Sequence, residues 1–224
     1  MKQLIIWDDF YDNPKQLREL ILNSEFEEAN DSNYPGRNSK VINYPKEFNE
    51  FFSYLAGEKL KPAENSHCGG FRIQNAEETG KQYIHVDLPS LKTTWAAICY
   101  LSLPEHYTKE DGTLYNSGTK LWKNKTTGLE HLPYDIEYLK AIGINTPDDL
   151  FHYMNTEGTD ESKWIEMMSI PIKFNRLIMF KSNLWHSQGE LFGDSMQNGR
   201  LIQTFFFEPD LEPINEEGWK KSEN

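Results

Sequence analysis

Cysteine is almost missing from this 224-residue sequence: Cys68 and Cys99 are the two present, and no Cys-x-x-Cys occurs. A disulfide framework and a thiolate zinc site are therefore excluded as organising principles. Positive charge is also short, with 23 Lys and Arg against 35 Asp and Glu and a net charge of −12. Such a field repels phosphate backbones and anionic lipid, which argues against nucleic acid or a membrane surface as partner. The longest apolar run, Trp95 to Leu101, falls far short of the roughly 20 residues of a membrane helix. Met1 to Trp7 is too short for the apolar part of a secretion signal, so a soluble, cytoplasmic protein is expected. No internal repeat, low-complexity tract or Gly/Ser-rich linker divides the chain. A single domain over residues 1–224 is the expectation.

Aromatic residues, 13% of the chain, are plentiful enough to build a large core. Leu4 to Trp7 reads as a short buried strand. Asn13 and Pro14 then give a helix start, with Leu17, Leu20 and Ile21 as the apolar stripe. After Pro45, the spacing of Phe48, Phe51, Phe52 and Leu55 predicts a second helix that stops at Gly57. From Gly70 the period shifts toward two, and Phe71 to Gln74, Gln82 to Leu88 and Trp95 to Leu101 read as strands. Residues 128–161 turn polar and read as an insertion between strands. It has short helices at Ile136 to Ala141 and Asp148 to Met154, the second opened by a Thr146/Asp149 capping box. Trp164 to Ile172, Arg176 to Phe180, Trp185 to Gln188 and Arg200 to Glu208 complete the strands. The expected architecture is mainly β (α+β): a jelly roll over 70–208 braced by the strand and helices of 1–69, with an acidic tail over 209–224.

Chemistry concentrates in Tyr83-Ile84-His85-Val86-Asp87-Leu88. A strand turns alternate side chains to opposite faces, which puts Tyr83, His85 and Asp87 on one side and Ile84, Val86 and Leu88 on the other. An imidazole and a carboxylate two residues apart can be adjacent ligands of one metal, and His186 is the candidate third ligand. Taken alone, the same alternation more often marks a half-buried strand with its polar side in water. Arg200 heads the apolar run Leu201-Ile202-Gln203-Thr204-Phe205-Phe206-Phe207. A guanidinium placed there wants a carboxylate, from the protein or from a ligand.

His85-x-Asp87, a distant His186 and a downstream Arg200 together resemble the signature of the iron(II)- and 2-oxoglutarate-dependent oxygenases, and in particular their prolyl-4-hydroxylase-like branch. Trp95-Ala96-Ala97-Ile98-Cys99-Tyr100-Leu101-Ser102 is similar to the strand that follows His-x-Asp in that branch. Gly118-Thr119-Lys120-Leu121-Trp122 is similar to its Gly-Gly-Thr-x-Phe turn, with Ser117 replacing the first Gly. Asn175-Arg176-Leu177-Ile178-Met179-Phe180, leading into Trp185-His186-Ser187, is similar to its approach to the second histidine. The resemblance spans Tyr83 to Phe207. It implies a double-stranded β-helix with Fe(II) held by His85, Asp87 and His186, and with open positions for 2-oxoglutarate and O₂. It further implies that Arg200 forks the distal carboxylate of 2-oxoglutarate, and that the enzyme couples its decarboxylation to succinate with hydroxylation of a C–H bond. Ile202, Thr204 and Phe206 share a strand face with Arg200 and are expected beside it, while Tyr83 is a candidate hydrogen-bonding group for cosubstrate or substrate.

Residues 128–161, with Tyr115 and Trp122 before them, are the candidate lid. His67-Cys68 lacks a second pair at ligand spacing and reads as a turn into a strand. His106, His131 and His152 read as surface or lid residues, Cys99 as an inert core thiol, and Phe205 to Phe207 as core. The other classes compatible with the residues are a non-catalytic jelly-roll module that binds metal or a small acid, and a cupin-like metal enzyme that does not use 2-oxoglutarate. The substrate, a small molecule or a peptide, is open.

Overall fold

Phe48, Phe51, Phe52 and Leu55 do lie along one helix, which runs Glu47–Ala56 and ends at Gly57, whose φ of +76° suits a residue without a side chain. The structure is a computed structural model and describes residues 3–29, 36–64, 66–78, 83–88 and 92–210. In chain order the elements are β1 (Leu4–Trp7), α1 (Pro14–Leu22), β2 (Phe26–Glu28), β3 (Arg37–Ile42), α2 (Glu47–Ala56), β4 (Leu60–Pro62), β5 (Gly70–Gln74) and β6 (Trp95–Tyr100). Then come β7 (Thr119–Asn124), α3 (Ile136–Ala141), α4 (Pro147–Glu157), β8 (Trp164–Ile170), β9 (Leu177–Lys181), β10 (His186–Gln188) and β11 (Arg200–Pro209). The fold is mixed α/β, dominated by antiparallel sheets with flanking helices.

One sheet has the order β1-β9-β6-β11-β5-β3-β2, with β4 pairing the far end of β11, and the other has the order β10-β7-β8. Register divides the residues of the large sheet between its faces. Arg200 lies opposite Gln74, Ile202 opposite both Arg72 and Tyr100, and Thr204 opposite Ile98, so these share one face. Their neighbours Leu201, Phe205 and Phe207 turn to the other face, with Phe71, Ile73, Trp95 and Cys99, and pack under α1 and α2. There the Phe52 ring centroid lies 5.0 Å from that of Phe205 and 4.5 Å from that of Phe207. Burying each such ring contributes about 1.5–3 kcal/mol.

Several local expectations change. β1 is not a buried strand: it ends the sheet beside β9 and leaves Ile6 and Trp7 more than 40% exposed. Leu20 lies outside the stripe of α1, 60% exposed, while Ile21 is fully buried. Asn13 precedes α1 without making a side-chain cap, whereas the Thr146/Asp149 capping box opens α4 as expected. Gly118 to Trp122 is not a turn but the entry into β7. Between 83 and 88 the chain is extended yet forms a single ladder bridge, His85 to His186, rather than a strand. Gln82 lies outside the described residues, as does the acidic tail from residue 211. β2, β3 and β4 were not anticipated. Among the described residues no helix is long and apolar enough to cross a membrane.

Candidate functional site

Ile84 and Val86 are buried with Trp122, Leu132, Ile144, Trp164 and Trp185, a cluster to which the polar insertion contributes Leu132, Ile144 and the packed side of α4. Sinking the even-numbered side chains into that cluster turns Tyr83, His85 and Asp87 to the opposite side, as the alternation requires. Backbone hydrogen bonds fix the segment: the N–H of Ile84 donates to Gly158 O (2.9 Å), that of His85 to His186 O (2.9 Å), and that of Asp87 to Ser182 O (2.8 Å). The approach at Gly158 is close, since a Cβ there would lie 2.1 Å from Ile84 O. Residues 128–161 thus brace the His85 segment from behind. None of them is among the described residues that line the cavity, so the expected lid is not seen at its mouth. Trp122 is core, its indole N–H donating to Ser187 Oγ at 2.9 Å, and Tyr115 packs on Phe192.

His85, Asp87 and His186 each offer a ligand atom within 4.8 Å of the other two. His85 Nε2 lies 3.6 Å from Asp87 Oδ1 and His186 Nε2 lies 3.2 Å from Asp87 Oδ2. On the far side of each ring, His85 Nδ1 is 2.9 Å from Tyr83 O and His186 Nδ1 is 2.9 Å from Leu184 O. A carbonyl oxygen only accepts, so in each neutral ring Nδ1 carries the proton and Nε2 keeps its lone pair, facing the carboxylate. This is the tautomer a metal ligand needs, already held by an outer partner. The Phe180 ring backs His186 at 4.7 Å and excludes water from that side. Burial pushes the Asp87 carboxyl up, but His186 and His85, when protonated and so donating from Nε2, outweigh it and hold it well below the usual carboxylate range. Burial, and next to it His186, push His85 down toward the neutral form. Two imidazoles and a carboxylate, without thiolate, fit a divalent transition metal with part of its coordination left open.

Arg200 is buried in the same cavity, 1% exposed. Its Nε donates to Ser117 O (3.1 Å) and its Nη1 to Gln74 Oε1 (3.1 Å), with Gln188 Oε1 at 3.5 Å. The guanidinium carbon stands 5.6 Å from the Tyr100 ring centroid, and the Tyr100 hydroxyl is 2.7 Å from Thr119 Oγ1. Among the described residues no carboxylate accepts from it: its hydrogen-bond acceptors there are all neutral. Burial lowers its pKa, and Arg72 acts in the same direction. An anion entering here meets a desolvated, oriented guanidinium.

The cavity is about 180 Å³. Ile202, Thr204 and Phe206 line it as expected from their face of β11, and Tyr83 lines it beside His85, ring centroids 5.6 Å apart. Sequence reasoning missed Gln74, Arg72, Gln188 and Asn38, and took His67 for a plain turn residue, yet all line the cavity. Arg72 and Gln74 stand at alternate positions of a strand that was read correctly. Their signal lay in its pairing with β11, which puts them on the Arg200 face. His106, His131 and His152 lie outside the described lining.

No match to this chain is found among curated proteins. Solved structures similar to it include a prolyl-4-hydroxylase from Pseudomonas putida, with 10% identity, 93% of this chain and 94% of that chain covered, and a TM-score of 0.40. AviO1 from Streptomyces viridochromogenes Tue57 is similar with 12% identity, 94% and 92% covered, and a TM-score of 0.45. HygX from Streptomyces hygroscopicus, solved with nickel and 2-oxoglutarate bound, is similar with 10% identity, 93% and 84% covered, and a TM-score of 0.45. Residues 1–207 match the family described as a family of unknown function, DUF6445, and the chain belongs to that family.

Proposed function

We propose that this protein is an Fe(II)- and 2-oxoglutarate-dependent oxygenase of the prolyl-4-hydroxylase-like kind, a single domain built on a double-stranded β-helix. The observation that carries the reading is one cavity holding both the His85/Asp87/His186 cluster and a buried Arg200 with neutral partners. His85 and His186 would hold the metal through Nε2 and Asp87 through its carboxylate. Arg200 would fork the distal carboxylate of 2-oxoglutarate. Bound iron would supply the redox chemistry by which O₂ converts 2-oxoglutarate to succinate and CO₂ while one oxygen atom enters a substrate C–H bond.

The chain's own tasks are then physical. Backbone carbonyls of Tyr83 and Leu184 keep both imidazole protons on Nδ1. Ile98, Ile202 and Phe206 line the same cavity with apolar side chains, which would help to exclude water from the reacting region. Tyr83 supplies a hydroxyl-bearing ring beside His85 for cosubstrate or substrate.

Anaerobic addition of Fe(II) and 2-oxoglutarate to metal-free protein tests the reading. A visible charge-transfer band is expected, and Arg200→Ala should weaken it at least about tenfold in 2-oxoglutarate concentration, since a hydrogen-bonded charge pair contributes about 1.5–3 kcal/mol. Iron binding without a band would favour a cupin-like enzyme or a non-catalytic binding module. No iron binding would remove the triad assignment.

A further inference from the structure

We infer that His67 and Asn38 read the substrate at the mouth of the cavity, and that the molecule they admit is neutral and carries a primary carboxamide or a lactam; this rests on the reading of the cavity as an oxygenase site. On β5 the cavity face runs Gln74, Arg72, Gly70, opposite Arg200, Ile202 and Thr204 of β11. Gly70 puts no side chain there, and the ring of His67 takes the place: a Cβ on Gly70 would lie 1.6 Å from Cδ2 and 2.2 Å from Nε2 of His67. His67 lines the cavity and is itself exposed, so it stands at the opening. Its Nε2 is 3.1 Å from Ser39 O, and because a carbonyl only accepts, Nε2 carries the proton and Nδ1 keeps its lone pair in the neutral ring. The ring atoms nearest Gly70 are Cδ2, Nε2 and Cγ, which leaves Nδ1 on the edge turned away from β5.

Asn38 is fixed in the same way. It lies opposite Arg72 across the β3/β5 pair, and its Oδ1 accepts from Arg72 Nε at 2.8 Å. The Nδ2 hydrogens are then the end of the amide without a partner among the described residues, as is the lone pair of His67 Nδ1. The two groups are neighbours, since His67 is tied to Ser39, the residue after Asn38, and lies over Gly70, two positions from Arg72. Burial pushes the Glu78 carboxyl up while Arg37 and Arg72 pull it down. Arg72 thus has an acidic neighbour, and reading on this wall falls to its neutral groups. Asn38 Nδ2 only donates and His67 Nδ1 only accepts, so the wall offers a donor and an acceptor in set roles. A carboxamide answers both, with an oxygen that accepts and an N–H that donates, and in a primary amide or a lactam the two share one edge. A trans peptide bond turns them to opposite sides, and a carboxylate has no proton for Nδ1. A site built to hydrogen-bond an N–H rejects the analogue that lacks it, because its own polar group is left unpaired.

The test compares 2-piperidone with 1-methyl-2-piperidone and benzamide with N,N-dimethylbenzamide, pairs that differ in the N–H. N-methylacetamide stands for the trans peptide bond and benzoate for an anion. Each is titrated into anaerobic protein loaded with Fe(II) and saturating 2-oxoglutarate, read by perturbation of the visible band, and into metal-free protein, read by thermal shift. 2-Piperidone or benzamide should act at a concentration about tenfold lower than its N-methylated partner. His67→Phe should erase that preference, and His67→Gln, which keeps an acceptor, should retain part of it. Asn38→Leu should weaken both members of a pair. Gly70→Ala, which drives the His67 ring from its seat, should act as His67→Phe does. Equal action within both pairs, no response to either N–H compound, stronger action of N-methylacetamide or benzoate, or a preference that survives His67→Phe would overturn the proposal. Absence of the band in wild-type protein would instead remove the oxygenase reading, and the thermal shifts of the same pairs would still judge His67.

Discussion

His85 and His186 hydrogen-bond to each other through the backbone in both directions, each N–H donating to the other's carbonyl at 2.9 Å. This single bridge sets two imidazoles from distant parts of the chain side by side, ring centroids 4.2 Å apart. Their spacing is therefore decided by the backbone before any ligand is present. Because the bridge uses no side chain, substituting either imidazole leaves it intact.

A first prediction follows from that independence. Fe(II) or Ni(II) at a hundredfold its Kd should stabilise the wild-type protein by about 2.7 kcal/mol, or about 5–10 °C in Tm. Asp87→Ala and His186→Ala should fold but lose this shift. A variant that retained the full metal-induced shift in a thermal melt would exclude its residue from the metal site.

Gly158 offers a second test, remote from the ligands. A Cβ at this position would meet Ile84 O at 2.1 Å, and backbone cannot yield as a flexible side chain does. Gly158→Ala should cost about 1–3 kcal/mol. It should also weaken metal binding, since the Ile84 to Gly158 hydrogen bond is one of those that hold the His85 segment. Urea denaturation and metal titration of the same variant check both; unchanged metal affinity would show that the brace does not set the ligand positions.

The third concerns pH. Asp8 takes hydrogen bonds from Arg176 (2.6 and 3.1 Å) and Lys173 (2.7 Å), tying the end of β1 to the entry of β9. The hydrogen bond from Arg176, then that from Lys173, holds its carboxyl well below the usual range. A depressed carboxylate contributes stability that is complete above its unfolded pKa, near 3.9, and is lost as pH falls toward the folded value. The group is about one-third exposed, so solvent screens the pairs and the contribution is about 1 kcal/mol. Asp8→Asn should lower the urea midpoint at pH 7, and the gap to wild type should narrow below about pH 4. A gap that stayed constant down to pH 2.5 would mean the ion pairs are not its source.

A fourth addresses the thiols. Burial pushes Cys68 up to about 12 and Cys99 higher still, and Cys99 is fully buried under the helices. Neither should react with Ellman's reagent in native protein at pH 8, and both should react in denaturant. Fast native reaction at Cys68 would place it in a more open setting than the one seen.

The shared facing of His85 and Asp87 was legible because it depends on local alternation. Ile84 and Val86 are apolar, Tyr83, His85 and Asp87 are not, and that contrast survives even though the segment forms one bridge instead of a strand. The helix of Phe48, Phe51, Phe52 and Leu55 was legible for the same reason at a different period. What escaped reading depends on partners. β2 and β4 are three residues each and owe their extension to β3 and β11, and β3, with its mixed sequence Arg37 to Ile42, pairs with β5. Ile6, Trp7 and Leu20 look like core residues until neighbouring elements fail to cover them. Arg72 and Gln74 became visible as cavity residues only when the pairing of β5 with β11 was known. His67 depends on the missing side chain of Gly70.

One consequence of β11 concerns insertion and deletion. Its even-numbered residues, Arg200, Ile202, Thr204 and Phe206, face the cavity, and its odd-numbered ones, Leu201, Phe205 and Phe207, fill the space beneath the helices. A frame shift of one residue in this strand would exchange the two sets, sending aromatic rings into the cavity and the hydroxyl of Thr204 into the hydrophobic layer. Point substitutions can alter site or core separately. A change of length between 200 and 207 damages both at once.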